Sequence, residues 1–277
     1  MLIQKTLQQG NKKEIRMLKP IFIEARDLPD AWFQCVFSIL ENGKVFTIDK
    51  GSFEGQKRLE FDYITIHIKY PNTRPLIPKI ASHFGIPDPV TDDYIDEYLP
   101  YLMTGEVKPG ESYTYGQRIC KFPITEKQKE NITIDEKVWK NDKIVFEENG
   151  QLYLNQMELL IWTFKNKGFR NNQMVLQIAK PDDMLLLDPP CCRQIDCRIQ
   201  DNKLHFYPYF RSWDCFSGMC ANLAGMQLMK EYIAEEIGIE DGEIIASSKG
   251  LHLYDYVFDI AKVLRMKENM ILKDGEN

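Results

Sequence analysis

Three of the chain's seven cysteines fall within seven positions, in the stretch 188–197 that reads DPPCCRQIDC. Such a cluster can be a disulfide, a metal site, or one nucleophile with two bystanders. Residues 1–16, MLIQKTLQQGNKKEIR, contain no apolar core of signal-peptide type, and no later stretch is long enough to span a bilayer. A cytoplasmic setting is therefore expected, and there thiols stay reduced. Adjacent cysteines such as Cys191 and Cys192 also bridge only under strain. Structural zinc favours paired C-x-x-C or Cys/His spacings, and the sequence has no C-x-x-C, while His205 and His252 fall at no zinc spacing. One nucleophile with bystanders and small buried thiols both remain open, and Cys191 stands directly after Pro189 and Pro190, whose rings fix the backbone before it.

Three further blocks carry chemistry. FRSWD, residues 210–214, supplies an Arg, a hydroxyl and a carboxylate within four positions; Asn222 follows Gly218 at the expected start of a helix; and HLY puts His252 and Tyr254 on one face of an extended segment. Singly, each has a plain structural reading. Arg211 and Asp214 can form a surface ion pair, Asn222 can cap a helix, and Tyr254 can be a core aromatic. Together they offer a thiol, an Arg and Ser for a phosphate, an amide for a base edge, and partners for sugar hydroxyls.

In order and spacing these blocks resemble the thymidylate synthase family, whose hallmarks are P-C-H, then Y-x-R-S-x-D, then an N-I-A helix start, then H-x-Y. Here they read PPCC, YFRSWD, ANLAG and HLY, with twenty residues from Cys191 to Arg211, eleven to Asn222 and thirty more to His252. Upstream, ESYTYGQR resembles the family's P-V-Y-G-x-Q-R turn, with Tyr115-Gly116 in register. IDKGSFEG, around Asp49, Lys50, Gly51 and Ser52, resembles its D-R-T-G-T phosphate loop.

The resemblance implies a homodimer of α+β subunits, each a large mixed twisted sheet covered by helices, with a sheet face as the dimer interface. It implies a pyrimidine nucleoside monophosphate as substrate, dUMP first, and 5,10-methylenetetrahydrofolate or a related reduced pterin as one-carbon donor, with no metal. Cys191 would add as thiolate to C6 of the ring, with Tyr115 and Asp214 in the catalytic set. Arg211 and Ser212 would hold the phosphate, joined by Lys50 and, from the partner subunit, by Arg170. His252 and Tyr254 would take the 3′-hydroxyl, and Asn222 the base edge beside Gly218. An amide matches the carbonyl and imide N–H of uracil, and turned over it also serves cytosine.

The chain departs from that pattern at named positions. Cys192 replaces the His after the nucleophile, and Asp196 replaces a Gln. Asn171-Asn172 stand where the family has an arginine pair, with Arg170 one place early, and the chain ends KDGEN rather than on an apolar residue. Glu158 sits in a MELLIW helix resembling that of the family's catalytic Glu. It follows Tyr115 instead of preceding it, so it reads as an exposed helix residue. Glu97, Glu106 and Glu111 are correctly ordered, and nothing in the sequence singles one out. These departures keep open a pyrimidine nucleotide 5-hydroxymethylase and a nucleotide-binding homologue without turnover.

The scaffold follows from periodicity. No repeat or linker appears, so residues 1–277 are expected to form one domain, with 266–277 frayed. RDLPDAWFQCVFSILENGK reads as a helix capped by Asp27, with Trp32, Val36, Ile39 and Leu40 inward. FDYITIHIKYP alternates as a strand, and NQMELLIWTFKNKG precedes a strand NQMVLQIAKP as a helix. RQIDCRIQDNKLHFYPYF reads as a hairpin turning at Asp201-Asn202, with Pro208 marking a bulge or an edge. NLAGMQLMKEYIAEEIG is a helix, and GEIIASSKGLHLYDY a strand, a turn and a second extended piece. The irregular mixture reads as α+β. A net charge of −6 argues against broad nucleic-acid binding.

Overall fold

The computed structural model describes residues 17–50, 53–125, 127, 135–266 and 272–273. Gly51 and Ser52, and most of the tail expected to fray, lie outside the described residues. The elements in chain order begin with β1 (Pro20–Ala25), α1 (Leu28–Asn42), β2 (Lys44–Thr47), β3 (Lys57–Glu60) and β4 (Tyr63–Ile68). Next come α2 (Asp92–Met103), α3 (Tyr115–Cys120), β5 (Phe122–Ile124), α4 (Glu136–Trp139), β6 (Val145–Glu148), β7 (Gln151–Leu154) and α5 (Gln156–Lys167). The C-terminal third holds β8 (Val175–Gln177), β9 (Cys192–Gln200), β10 (Lys203–Phe210), β11 (Trp213–Asp214), α6 (Gly218–Ile237), β12 (Glu240–Ser248), β13 (Leu251–Tyr254) and α7 (Phe258–Leu264).

The main sheet runs β1-β4-β12-β10-β9-β8, with β1 parallel to β4, β10 parallel to β12, and the other pairs antiparallel. With helices on it, this is the mixed α+β sheet expected from the sequence. Ile64, Ile66 and Ile68 of β4, Leu204, Phe206 and Phe210 of β10, and Ile244 and Ala246 of β12 are buried under α1 and α6. Thr65, His67, Tyr207, Tyr209, Ile245 and Ser247 alternate onto the opposite face and are half-buried. Two smaller sheets, β11-β13-β3-β2 and β5-β7-β6, flank the main one.

Local chemistry sets the ends of the elements. Asp27 caps α1 by accepting the Asp30 N–H, and Pro29 sits in its first turn. Asp201 and Asn202 turn β9 into β10 at φ of 52° and 61°, values that Asp and Asn tolerate better than most residues. Pro208 corrects its reading: it lies in the interior strand β10, opposite Ile195, with no bulge at its own position. Glu158 is half-buried rather than exposed, in the first turn of α5 beneath the Asn155 cap.

Two buried charge pairs fasten the pieces that carry chemistry. Lys230, fully buried in α6, reaches Asp241 at 3.1 Å, and burial outweighs that partner and lowers its pKa to about 8. Arg118 of α3 donates to Asp183 at 2.8 Å, with side chains 7% and 0% exposed. The second Asp183 oxygen accepts the Lys180 N–H. This pair holds α3 against the connection that leads to Cys191. Just before Arg118, a Cβ on Gly116 would lie 2.2 Å from the Thr104 carbonyl oxygen, so α3 can approach the end of α2 only with Gly there. Asp183→Ala would leave Arg118 buried without a carboxylate. The expected loss is about 3–5 kcal/mol of unfolding free energy, measured by urea denaturation against the parent chain.

Candidate active site

The end of β9 decides which cysteine is presented. β9 and β10 pair as Ile195 with Pro208 and Gln194 with Tyr209, but then Cys192 with Phe210, which leaves Arg193 as an extra residue. The bulge shifts the alternation by one position. Cys192 therefore turns into the core at 0% exposure, while Cys191 is only partly buried. The other six cysteines are all buried.

Arg211 lies directly over Cys191. Its backbone N–H donates to the Cys191 carbonyl at 2.8 Å, and its guanidinium donates to the carbonyls of Pro189 and Pro190 and to Asp188. The ion pair foreseen with Asp214 is thus made with Asp188 instead. On the other side, the Cys192 N–H donates to the Tyr115 hydroxyl at 3.2 Å. Burial lifts the Cys191 thiol above its ordinary pKa, while Arg211 pulls it down; burial wins in the free protein.

Beyond Tyr115 opens a cavity of about 480 Å³, within the range of small-ligand sites. Its lining includes Tyr94, Glu97, Tyr98 and Tyr101 from α2, together with Tyr115 and Asn222. Cys191 is not in the lining; its neighbour Cys192 reaches the cavity wall through the N–H bond to Tyr115. Tyr94, Tyr98 and Tyr101 stack in series, at centroid distances of 6.3 Å and 5.5 Å. Asn222 is not the helix cap that sequence allowed. α6 begins at Gly218, so Asn222 sits one turn inside it, between the indole of Trp213 at 2.8 Å and the hydroxyl of Tyr98 at 2.6 Å. The entrance of α6 is tied down by Trp32, which donates to the Phe216 carbonyl at 2.9 Å.

Asp214 holds that entrance from below. Its carboxylate accepts the N–H groups of Phe216, Ser217 and Gly218, satisfying donors that a helix start leaves free. A Cβ on Gly218 would sit 3.2 Å from the Asp214 Cβ. Both residues border a second cavity with Tyr94 and Ser217. His252 pairs with Asp214 across β11 and β13, is 2% exposed, and packs edge-on to Tyr254 at 4.7 Å. Burial lowers its pKa, and its Nδ1 lies 2.8 Å from the Gly250 carbonyl. A carbonyl only accepts, so Nδ1 carries the proton, and Nε2 is a buried acceptor with no partner among the described residues.

A sequence model described as "Thymidylate synthase" matches residues 109–271, more than half of the chain. The chain belongs to the thymidylate synthase family. Among its relatives, a protein of Methanosarcina mazei named "Putative thymidylate synthase" is 27% identical over 91% of this chain and 96% of its own length. A protein of Methanocaldococcus jannaschii with the same name is 24% identical over 87% of this chain and 94% of its own. A "Thymidylate synthase" of Phytoplasma mali is 28% identical over 58% of this chain and 59% of its own length.

For a thymidylate synthase family member, the candidate residues divide by place. Cys191, Arg211 and Tyr115 meet at one strand end, and Asn222 joins Tyr115 in the cavity. Asp214, Gly218, His252 and Tyr254 surround the start of α6 and the end of β13. Ser212 is half-buried between the two groups. Lys50 and Arg170 are exposed and do not line the cavity of Tyr115 and Asn222. Sequence reasoning missed Tyr94, Tyr98, Tyr101 and Trp213. Three tyrosines at helical spacing in DDYIDEYLPYLM, upstream of the Tyr115 turn, were the available signal.

The raised thiol gives a test on the free protein. Iodoacetamide labelling of Cys191, localised by mass spectrometry, is expected to keep rising above pH 9, past an ordinary thiol. Arg211→Ala, which removes the opposing cation, should slow labelling at pH 8 several-fold. Labelling of Cys191 that levels off near pH 7 would contradict the electrostatics described above.

Proposed function

We propose that this protein transfers a one-carbon unit to C5 of a pyrimidine nucleoside monophosphate, by reductive methylation of dUMP to dTMP. The observation that carries this reading is the meeting at Cys191. The Cys191 carbonyl accepts the Arg211 backbone N–H, the Arg211 guanidinium donates to the two prolines just before the partly exposed thiol, and the next N–H, of Cys192, donates to Tyr115 in the wall of an aromatic cavity.

In this reading the Cys191 sulfur bonds to C6 of the pyrimidine, and the displaced electron pair makes C5 nucleophilic. Arg211, with Ser212, receives the 5′-phosphate. An anion there would compete with the present contact to Asp188. His252 offers its unpaired Nε2 as acceptor to a ribose hydroxyl, beside Tyr254. Asn222 reads the base. Asp214 acts through the α6 entrance, holding the helix that carries Asn222. Among the three glutamates, Glu111 already accepts the Lys108 N–H. All three line the cavity with Asn222, and Glu97, which alone comes from the helix of the stacked tyrosines, is the carboxylate assigned to proton transfer. Lys50 lies outside this cavity, and Arg170 would reach a phosphate from a partner subunit.

The aromatic row of Tyr94, Tyr98 and Tyr101 fits a flat pterin ring. When bound, a reduced folate or related pterin supplies the one-carbon unit and, for a methyl product, the hydride. The face of the main sheet that bears Tyr207, Tyr209 and Ile245 suits a second copy of the chain, giving a homodimer of one-domain subunits. No described helix is long and apolar enough to cross a membrane, and no described group of three or more His, Cys, Asp or Glu residues is placed to hold a metal.

The test supplies methylenetetrahydrofolate with dUMP, dCMP or CMP and identifies products by mass. Methylated uracil nucleotide is expected; a hydroxymethyl product would place the chain among hydroxymethylases. No exchange of the C5 hydrogen on any pyrimidine would remove both enzyme readings. Separately, Cys191→Ala should abolish the covalent adduct with 5-fluoro-dUMP, whereas Cys192→Ala, a change in the core, should retain it.

A further inference from the structure

Asn222 is held at both ends. The indole N–H of Trp213 can only donate, and it lies 2.8 Å from the Asn222 Oδ1, so the amide oxygen must face it. The amide nitrogen then faces the Tyr98 hydroxyl at 2.6 Å, which accepts and keeps its own proton to donate. Turning the amide over would set N–H against N–H at Trp213 and lose that bond.

Neither clamp has room to move. Trp213 is 1% exposed and stacks on Phe210 at 4.0 Å with the rings 5° from parallel. The Tyr98 ring is stacked on Tyr101 and lies against Gly225, three residues after Asn222 on α6. A Cβ on Gly225 would come within 3.0 Å of the Tyr98 ring and 2.7 Å of Leu102, so only Gly lets the tyrosine reach the amide. Burial also pushes the Tyr98 pKa well above the ordinary phenol range, which keeps the hydroxyl protonated.

The cavity therefore meets a fixed pattern. Among these lining groups two donors are left unused by the clamp, the Tyr98 O–H and the second Asn222 N–H, while Oδ1 retains one lone pair. A 4-carbonyl accepts from those donors, and the neighbouring imide N–H can reach the lone pair. A 4-amino group would set its N–H bonds against donors. Resting on the nucleotide reading above, we propose that Trp213 and Tyr98 are positioning residues that lock the Asn222 amide, so that the site takes 4-oxo (uracil-type) and rejects 4-amino (cytosine-type) nucleotides.

The experiment is calorimetric binding of dUMP and of dCMP to the full chain and to two variants. The parent chain is expected to prefer dUMP. Trp213→Phe keeps a stacked ring but frees the amide to turn, and should narrow the dUMP-to-dCMP affinity ratio by about tenfold, the worth of one hydrogen bond. Tyr98→Phe removes a donor and should weaken dUMP by a similar factor with little change for dCMP. It decides the matter if Trp213→Phe does not fold. A parent chain that binds dUMP and dCMP alike, or folded variants that keep the parent ratio, would overturn the lock while leaving the nucleotide reading intact. A parent chain that binds no pyrimidine nucleotide would sink the nucleotide reading and the lock with it.

Discussion

One extra residue in β9 governs the rest of the site. In an unbroken strand, Ile195, Cys197 and Ile199 facing the core would bring Arg193 and Cys191 to the core with them. Cys192 would then be left on the other face. The bulge at Arg193 reverses that order, so the core receives Cys192 and Cys191 is left only partly buried. The two thiols are chemically alike, and a single register shift makes one a packing group and the other a candidate nucleophile.

That shift is useful only if the neighbouring pieces stay put, and buried polar contacts hold them. Arg118 and Asp183 bind α3 to the approach of Cys191, which keeps the Tyr115 hydroxyl under the Cys192 N–H. Asp214 closes the start of α6, and Lys230 anchors the same helix to Asp241. Breaking such a pair strands a charge out of water, so each acts as a locator whatever its net contribution to stability. The electrostatic outcome at Cys191 follows from this packing. The burial that positions the thiol also opposes its ionisation, and Arg211 offsets only part of that cost.

α2 links scaffold to recognition. Its three tyrosines line the cavity at i, i+4 and i+7, and close contact at Gly225 brings Tyr98 onto the Asn222 amide. Asn222 thus has neighbours from three directions: its own helix, α2, and the short strand that carries Trp213. An amide on its own is ambiguous between two orientations; an indole N–H beside it removes one.

The linear order of residues was enough for the family, the α+β class, the alternation of β4, the Asp201-Asn202 turn, and the blocks around Cys191, Arg211, Asn222 and His252. All of these depend on local spacing or backbone preference, which a sequence displays directly. It also offered Cys191 rather than Cys192, but by resemblance and not by any physical signal within the strand. The bulge, the Asp188 partner of Arg211, the cap formed by Asp214 and the clamp on Asn222 were beyond its reach. Each joins segments distant in the chain or depends on a one-residue register shift. Such choices are made by competition for burial and hydrogen bonds in the assembled core, where side-chain identity alone does not say which partner wins.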